Sequence, residues 1–156
     1  MTRPLFLLAP VALLLVACGG ETSDDFFLGT VDDPVLIDTS CDDSAQPPSA
    51  PLAIQGLELV GDAVEVQTSF SGGCAEHLFA VSGGCEFTAS DPPQTTVILH
   101  HDAQGDSCEA LITQDVLVSL SSLRDGASAL GASSLEVFVR GPSDEGTPAA
   151  SVIYPL

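Results

Sequence analysis

The chain has 156 residues, of which 22 are acidic and only three are basic, and its formal net charge is −19. So large an excess of negative charge excludes nucleic acids and anionic lipid headgroups as partners, because binding either depends on Lys and Arg side chains. Cationic partners stay compatible with this charge, whether metal ions, polyamines or basic proteins. The sequence contains no lysine, which excludes Schiff-base chemistry, and such acidity is typical of an exported protein kept soluble by its charge.

The N-terminal segment combines one positive charge with a short apolar run. Arg3 precedes residues 5–16, which are apolar apart from Pro10 and too few to span a bilayer comfortably. The run ends in Leu-Val-Ala-Cys at residues 15–18, which resembles the lipobox of bacterial lipoproteins. The resemblance implies that residues 1–17 are a signal peptide. It also implies that Cys18 becomes the lipidated N-terminus of the mature chain, with acyl groups such as palmitate.

This predicted lipid anchor indicates where the protein resides. Three acyl chains bury enough methylenes, at roughly 0.8 kcal/mol each, to make attachment to a membrane effectively permanent. Gly19 rather than Asp follows Cys18, so a signal for retention in the inner membrane is missing, and the expected location is the outer membrane of the bacterial envelope. Loss of Arg3 leaves Arg124 and Arg140 against 22 acidic residues, a mature charge of −20.

Residues 18–51 differ in composition from the rest of the chain. They hold eight acidic residues and four prolines but no basic residue. Such a segment resists compact folding, which predicts a lipidated tether, mobile before about Asp38, and a folded domain over residues 52–156. Two apolar clusters in the tether, residues 26–28 and 35–37, are expected to dock on the domain, because exposed apolar side chains are unfavourable in water.

From residue 52 onward, apolar and polar side chains alternate with the period of two that is typical of strands. Residues 57–60 and 63–70 flank Gly61-Asp62, a connection that suits a type II′ hairpin. Further strands are predicted at residues 76–81, 85–89, 95–101, 107–113 continuing into 116–120, 135–140 and 151–154. Residues 120–131 have helical character, but their serines and a glycine predict no more than a turn or two. The pattern predicts an all-β fold, an antiparallel Ig-like β-sandwich stapled by disulfides, with a small closed barrel as the alternative.

Two distinctive motifs follow each other in this domain. Residues 72–79 read GGCAEHLF, and residues 101–110 read HDAQGDSCEA. They resemble a set of uncharacterised bacterial lipoproteins and exported proteins that carry a GGCxxHxF segment followed by an HDxxGDxCEA segment. The resemblance implies a Cys74–Cys108 disulfide and a shared site near His77, His101 and Asp102. The resemblance implies no enzymatic reaction for these residues.

The exported location also bears on the cysteines. An oxidising compartment favours disulfides, and the four cysteines other than the lipidated one indicate two bridges. Cys74 and Cys85 lie at unequal distances from the turn at residues 82–84, so they are not cross-strand neighbours. This agrees with the bridge that the resemblance implies and leaves Cys41 with Cys85. Because four cysteines allow three connectivities, the sequence alone leaves the pairing open.

The same region concentrates histidine and carboxylate side chains. Imidazole with carboxylate suits zinc or copper, while an Asp-rich turn with a glycine could offer oxygen ligands to calcium. The candidate ligands are His77, His101, Asp102, Asp106 and Glu109. Adjacent residues of a strand point to opposite faces, so only one of His100 and His101 can join His77. The competing structural interpretation is that Asp102 caps its own turn and that His77 hydrogen-bonds to a carboxylate.

Signals of catalysis are missing from the sequence, and no catalytic residue is predicted. No serine lies in a GxSxG context, tryptophan is absent and Tyr154 is the only tyrosine, so neither esterase nor glycosidase chemistry is indicated. The sequence predicts a non-catalytic envelope lipoprotein with a binding or structural role, such as binding a protein at the cell surface. A divalent-metal-binding protein is the alternative. An unpaired sheet edge or an exposed apolar patch would favour the first, and two histidines within common ligand reach would favour the second.

Overall fold

A computed structural model of the chain describes residues 33–42, 47, 49–143 and 150–156. The predicted signal peptide, the lipidation site Cys18 and the tether up to residue 32 lie outside the described residues. In the described part, the chain forms eight strands and one helix. These are β1 (Val35–Asp38), β2 (Ala53–Val60), β3 (Ala63–Gly72), β4 (Leu78–Gly83), β5 (Gln94–Asp102), β6 (Ala110–Ser119), α1 (Ser121–Ala129), β7 (Ser134–Arg140) and β8 (Ala150–Pro155). Within these residues, none of the helical structure has the length and apolar character of a membrane span.

The β2–β3 hairpin has the turn that its sequence predicts. Gly61 has a φ of +61°, whereas the φ of Asp62 is negative. A type II′ turn requires a positive φ at its first central residue and a negative φ at its second. The alternating pattern of β3 then directs every second side chain inward, and both Val64 and Val66 are fully buried. The prediction holds here because it depends on neighbouring residues alone.

All eight strands form one sheet in the order β2-β3-β6-β1-β4-β5-β7-β8. The predicted β class is confirmed, but the sheet is mixed, since β1 is parallel to β4 and β6, and β5 is parallel to β7. The two end strands of this order, β2 and β8, also contact each other, so the sheet curls into a nearly closed, barrel-like shape. The expected purely antiparallel Ig-like sandwich is corrected accordingly, because alternation identifies strands but neither their partners nor their directions.

Strand β1 lies inside the sheet, although its composition suggests a tether. Val35 and Ile37 are 1% and 5% exposed, so the apolar cluster at residues 35–37 docks on the domain, and it does so as a strand. Its first two residues pair with β6 and its last two with β4. The folded domain therefore extends at least to Val35 rather than beginning at residue 52, because two buried apolar side chains outweigh the acidic residues around them.

One edge of β6 is only partly covered by this short strand. On one side, β6 pairs with β3 along its whole length, from Ala110 to Ser119. On the other side, the pairing within the described part of the chain is limited to Val118 and Ser119, which face β1. The stretch from Ala110 to Leu117 has no strand partner on that side among the described residues, and we call it the free edge of β6.

Helix α1 is longer than the predicted turn or two. Gly126 lies inside it because the ring of Phe87 occupies the space of a side chain: a Cβ atom at Gly126 would lie 2.8 Å from that ring. Leu123 and Ala127 are the buried residues of the helix. The predicted strand at residues 85–89 is wrong, because this segment has no regular structure and instead places Phe87 against the core.

The interior of the curled sheet is filled by side chains from every strand except β2, and from α1. Buried apolar residues include the following: Val35, Ile37, Val64, Val66, Phe70, Phe79, Val81, Val97, Leu99, Val116, Val118, Leu120, Leu123, Ala127, Leu135, Val137, Val139 and Tyr154. Partly buried side chains of β2, among them Leu57 and Leu59, pack against this core. The core has few aromatic residues, as the composition indicates, and depends on Val and Leu.

Candidate functional site

Two disulfides cross-link the domain, Cys74–Cys108 and Cys41–Cys85. The first joins the loop between β3 and β4 to the segment before β6, and so connects the two sequence motifs. The second joins the segment after β1 to the segment after β4. The sequence separations are 34 and 44 residues, for which the chain-entropy model gives a stabilisation of about 4 kcal/mol each.

Asp106 is the centre of the site, because its carboxylate accepts five hydrogen bonds. The donors are the backbone N–H groups of Gly73, Cys74, Ala75 and Cys108, at 2.8 to 3.0 Å, and Nε2 of His77, at 3.1 Å. The side chain has no solvent-accessible surface. The backbone donors, with His77 adding to them, hold the pKa of the Asp106 carboxyl far below its usual value. The ionised carboxylate thus ties the two motifs together.

His77 and His101 meet inside the sheet, within a group of four rings. Nδ1 of His77 lies 2.7 Å from Nε2 of His101. His77 stacks on Phe70 with ring centroids 4.7 Å apart, and His101 stacks on Phe79 at 5.3 Å. His101 is 1% exposed and His77 is 7% exposed. The two histidines are therefore core residues of this end of the domain, packed as aromatic rings and joined by a hydrogen bond.

The carboxylate of Asp106 fixes a proton on Nε2 of His77. An ionised carboxylate can only accept, so Nε2 of His77 carries a hydrogen and donates to it. When the His77 ring is neutral, its Nδ1 is an acceptor, and Nε2 of His101 then donates across the 2.7 Å contact. Nδ1 of His101 is a buried atom that has no hydrogen-bond partner among the described residues.

Burial controls the ionisation of His101. It lowers the pKa of the imidazole, and the neighbouring His77 acts in the same direction. The backbone carbonyls of Pro51 and Ala50 and the carboxylate of Asp102 oppose this effect. Neither carbonyl completes a hydrogen bond of good geometry to Nδ1, so burial dominates and the ring stays neutral near pH 7.

The glycine pair at the start of the first motif is explained by this packing. A Cβ atom on Gly72 would lie 2.5 Å from two atoms of the His77 ring, so no larger residue fits there. Gly73 has a φ of +116°, a backbone conformation that favours glycine, and its N–H donates to Asp106. Neither Gly72 nor Phe70 is among the predicted site residues. The pair of adjacent glycines in the sequence could have indicated that Gly72 belongs to the site. The alternation of β3 predicts only that Phe70 points inward, and nothing in the sequence links it to the histidines.

The other candidate ligands lie apart from this cluster. Asp102 caps its own turn, because Oδ1 accepts the N–H of Gln104 at 2.8 Å, as the structural interpretation expected. Glu109 is exposed and takes no part in the cluster. His100 points to the opposite face from His101, and its Nε2 lies 2.9 Å from the Ser82 hydroxyl. Burial lowers the pKa of His100.

The geometry around His77 and His101 fits a shared proton better than a shared metal. Two imidazole ligands of a tetrahedral zinc ion, each about 2.0–2.1 Å from the metal, have nitrogens roughly 3.3 Å apart, whereas these nitrogens are 2.7 Å apart. The Asp106 carboxylate is already saturated with donors. Within the described residues, three potential ligand atoms lie within common reach only at Cys74, Asp106 and Cys108, and two of these residues form a disulfide.

A cleft of about 530 Å³ adjoins the cluster. Its walls include Pro51, Leu52, Phe70, Ala103 and Leu111. Leu111 is 79% exposed, a high fraction for an apolar side chain of a strand. The strand alternation gives a signal for it, because Leu111 occupies an outward position next to Thr113 and Asp115, the polar outward residues that follow it on β6. The cleft is therefore a mostly apolar surface over the paired ends of β2, β3 and β6, on the side of β6 that faces β3.

A second cleft of about 530 Å³ lies elsewhere, between residues 83–88, the start of β5 and Phe138. Glu86 is the ionisable side chain among its lining residues, since Cys85 is in a disulfide. It lacks a cluster of histidines and carboxylates. The chemistry predicted from the sequence is thus located at the first cleft and not at this one.

Fold and site together define a predominantly β, disulfide-bridged domain in which a histidine–carboxylate cluster closes one end of a curled sheet.

No protein-family model and no curated protein matches the chain. Solved structures are similar to it in fold. A protein of unknown function from Bacteroides vulgatus, described as DUF1344, superposes with a TM-score of 0.50 at 11% sequence identity, over 79% of this chain and 56% of that one.

Two further solved structures resemble the chain. A putative toxin-related protein from Parabacteroides distasonis gives a TM-score of 0.50 at 18% identity, over 78% of this chain and 61% of that one. A NigD-like immunity protein from Bacteroides caccae gives 0.47 at 15% identity, over 76% and 58%. The chain thus spans less than two thirds of the length of these proteins, and the likeness concerns the fold alone.

Proposed function

We propose that the chain is a lipid-anchored protein of the bacterial envelope that acts by binding a partner polypeptide and not by catalysis. The anchor is proposed at Cys18, after removal of residues 1–17, with the outer membrane as the location. The two disulfides are consistent with an oxidising compartment outside the cytoplasm. The signal-like N-terminus supports the same location.

The observation that carries the binding role is the exposed Leu111 at the rim of an apolar cleft. Exposed apolar surface next to a cleft is a feature of sites that bind other proteins. The histidine–carboxylate cluster supports a non-catalytic role. The side chains of His77 and Asp106 are 4% and 0% exposed, and their hydrogen-bonding groups are already used within the protein, so they are not available to a substrate.

The anchor is tested in native cells with a clickable palmitate analogue. The full chain is expected to incorporate the analogue and to fractionate with membranes. Cys18→Ser should abolish both, whereas Cys41→Ser, which leaves the lipobox unchanged, should leave labelling intact. A wild-type chain without label would refute the proposed lipid anchor.

The binding role is tested by photo-crosslinking from position 71. Ser71 pairs with Leu111 across β3 and β6 and is exposed, so a photoreactive residue there faces the same surface. We expect a discrete adduct in intact cells that disappears with Leu111→Asp. Ile153→Asp is the control, because Ile153 is 53% exposed but lies on β8. Adducts that respond equally to both substitutions would contradict a binding surface at the cleft.

Divalent-metal binding is the second candidate, because two imidazole nitrogens of His77 and His101 face each other, although their separation of 2.7 Å is shorter than that of two zinc ligands. A metal would have to displace the shared proton and separate the two rings. Calorimetric titration of the full chain with zinc, copper and calcium tests this candidate. Binding that is lost in His77→Ala but kept in His100→Ala would support it, and heats equal to those of buffer would eliminate it.

A further inference from the structure

We propose that the free edge of β6, from Ala110 to Leu117, binds an extended, cationic polypeptide segment, which adds to the sheet as a new strand. This inference rests on the binding role proposed above and names the mode of binding and the chemistry of the partner. Strand addition to an exposed sheet edge is a general mode of peptide recognition, in which main-chain hydrogen bonds provide much of the affinity.

The free edge is long enough to take a strand. It spans the eight residues from Ala110 to Leu117, whereas the usual strand has roughly five or six residues. Strand β1 begins at Val35, and Pro34 before it has no N–H that could donate to a ladder. Asp33 and Pro34 are exposed and are not part of a strand. In the described part of the chain, nothing therefore pairs with this edge.

Of the features that usually protect such an edge, the sequence of the free edge has only one charged side chain, Asp115. Natural proteins cover or block exposed edges with lysine, proline or bulges. Residues 110–117 read ALITQDVL, with neither lysine nor proline, and their pairing with β3 on the other side proceeds without a register shift. Alternate N–H and C=O groups of these residues point away from β3 and are available to a partner strand.

The side chains beside the edge could contribute apolar contacts. Leu111, Thr113, Asp115 and Leu117 are the outward residues of this stretch, and the first three are exposed. Leu111 is 79% exposed, and an apolar side chain of an added strand opposite it would cover part of this surface. Strand addition would thus combine main-chain pairing with burial of an apolar residue, which is the general basis of specificity in this mode.

The negative charge of the surface around the free edge favours a cationic partner. The outward face of β2, β3 and β6 carries Glu58, Glu65 and Asp115, and these three strands contain no basic residue. Of the basic residues in the described part, Arg124 is engaged with Asp62 and Tyr154, and Arg140 lies on β7. A strand with lysine or arginine side chains is therefore attracted, whereas a second copy of this acidic chain is repelled.

The first experiment asks whether the edge is free. Amide hydrogen exchange is measured by NMR on the full chain in neutral detergent micelles. We expect alternate amides of residues 111–117, those that point away from β3, to exchange rapidly, and the intervening amides to be protected. Uniform protection in a monomer would mean that another segment of this chain covers the edge. Uniform protection in a dimer would mean that a second copy does. Either result overturns the proposal.

The second experiment uses a dye-labelled ten-residue peptide of alternating valine and lysine, with a valine–glutamate peptide as its negative control. At about 0.15 M salt, the cationic peptide should bind and protect the rapidly exchanging amides of β6. Asp115→Lys should weaken binding roughly tenfold or more. Glu58→Lys makes the same change of charge on β2 and should weaken it by less than about threefold.

The outcomes separate this proposal from the one on which it rests. Equal loss of affinity in the two lysine variants, or binding without protection of β6 amides, would show that the peptide adheres to the acidic surface in general, and strand addition would be rejected. If Asp115→Lys does not fold, Asp115→Asn replaces it, and Glu58→Gln becomes its control. A Leu111-dependent adduct at position 71, together with failure of the peptide to bind, leaves the binding role standing and removes strand addition.

Discussion

At the scale of single residues, Asp106 holds two loops in one arrangement. A bound cation has this structural role in many small domains. The charge of Asp106 is stabilised by hydrogen bonds from four backbone N–H groups and from the ring of His77, and it requires a hydrogen on Nε2 of that ring. The sequence could identify the residues, because motif composition is local. It could not assign their roles, because the number of donors around a carboxylate depends on how two distant loops meet.

Replacing Asp106 by asparagine should destabilise the domain strongly. The amide has one acceptor oxygen in place of two, and its NH₂ group would face backbone N–H donors. We expect the melting temperature to fall by roughly 10 °C or more. Asp102→Asn is the matched control, because the exposed turn of Asp102 tolerates an Asn side chain, and it should change the melting temperature little. Differential scanning calorimetry measures both, and equal effects would argue against Asp106 as the organiser of the site.

The buried histidines should make stability fall in mild acid. Burial lowers the folded-state pKa of His100 and His101 below the ordinary value of 6.5, so the unfolded chain takes up protons first as the pH decreases. Their contribution is therefore complete above pH 6.5 and is lost as the pH falls below it. Asp106, whose folded pKa is depressed, contributes fully above its ordinary value of 3.8 and loses that contribution only below it.

Urea unfolding from pH 7.5 to pH 5.0 tests this dependence on the histidines. The free energy of unfolding of the wild type should decrease more steeply than that of a His100→Gln/His101→Gln double variant. Using the difference between the two proteins removes the effect of the many surface carboxylates, which both share. Parallel pH profiles would show that the two imidazoles titrate alike in the folded and unfolded states.

At the scale of secondary-structure elements, the sequence predicts the features that depend on neighbouring residues and not those that depend on pairing between distant segments. The hairpin from Ala53 to Gly72 follows from alternation and Gly61-Asp62, which involve neighbouring residues. Strand β1 contradicts its own composition, because its position depends on pairing with β4 and β6, which come much later in the chain. The parallel pairs of the sheet have the same origin. The predicted length of helix α1 is too short, because Gly126 is typical of a helix end. Only the contact of Gly126 with Phe87 explains a glycine inside the helix.

Gly126→Ala should therefore lower stability, although alanine favours an isolated helix by about 1 kcal/mol. The added Cβ would lie 2.8 Å from the Phe87 ring, and this ring packs against the core. In a Phe87→Ala background the conflict is gone, so the same substitution should stabilise the domain by up to about 1 kcal/mol. Chemical denaturation of the four proteins of this cycle measures the coupling, and an additive cycle would exclude the contact as the reason for the glycine.

At the scale of the whole molecule, the two ends of the curled sheet are held by different chemistry. One end has the Cys74–Cys108 bridge and the Asp106 network. The other end has a group in which Arg124 donates to the Tyr154 hydroxyl, which in turn donates to Asp62 at 3.1 Å. This second group joins the β2–β3 turn, α1 and β8, and it uses one of the two arginines that follow the predicted signal peptide. With 22 acidic residues against three basic ones, the negative charge far exceeds what basic side chains can neutralise.

This imbalance predicts that salt stabilises the protein. Acidic side chains repel one another across the surface, and the screening length falls to about 10 Å at 0.1 M salt, so repulsion in the folded state should weaken as salt is added. The melting temperature should rise by on the order of 5 °C between about 0.02 and 0.3 M NaCl and then level off. A variant with Glu58→Gln, Glu109→Gln and Asp115→Asn, all exposed positions, should start from a higher melting temperature and show a smaller rise. A melting temperature that falls with salt would instead mean that ion pairs such as Arg124–Asp62 outweigh the repulsion, and net charge would then not limit the stability of this fold.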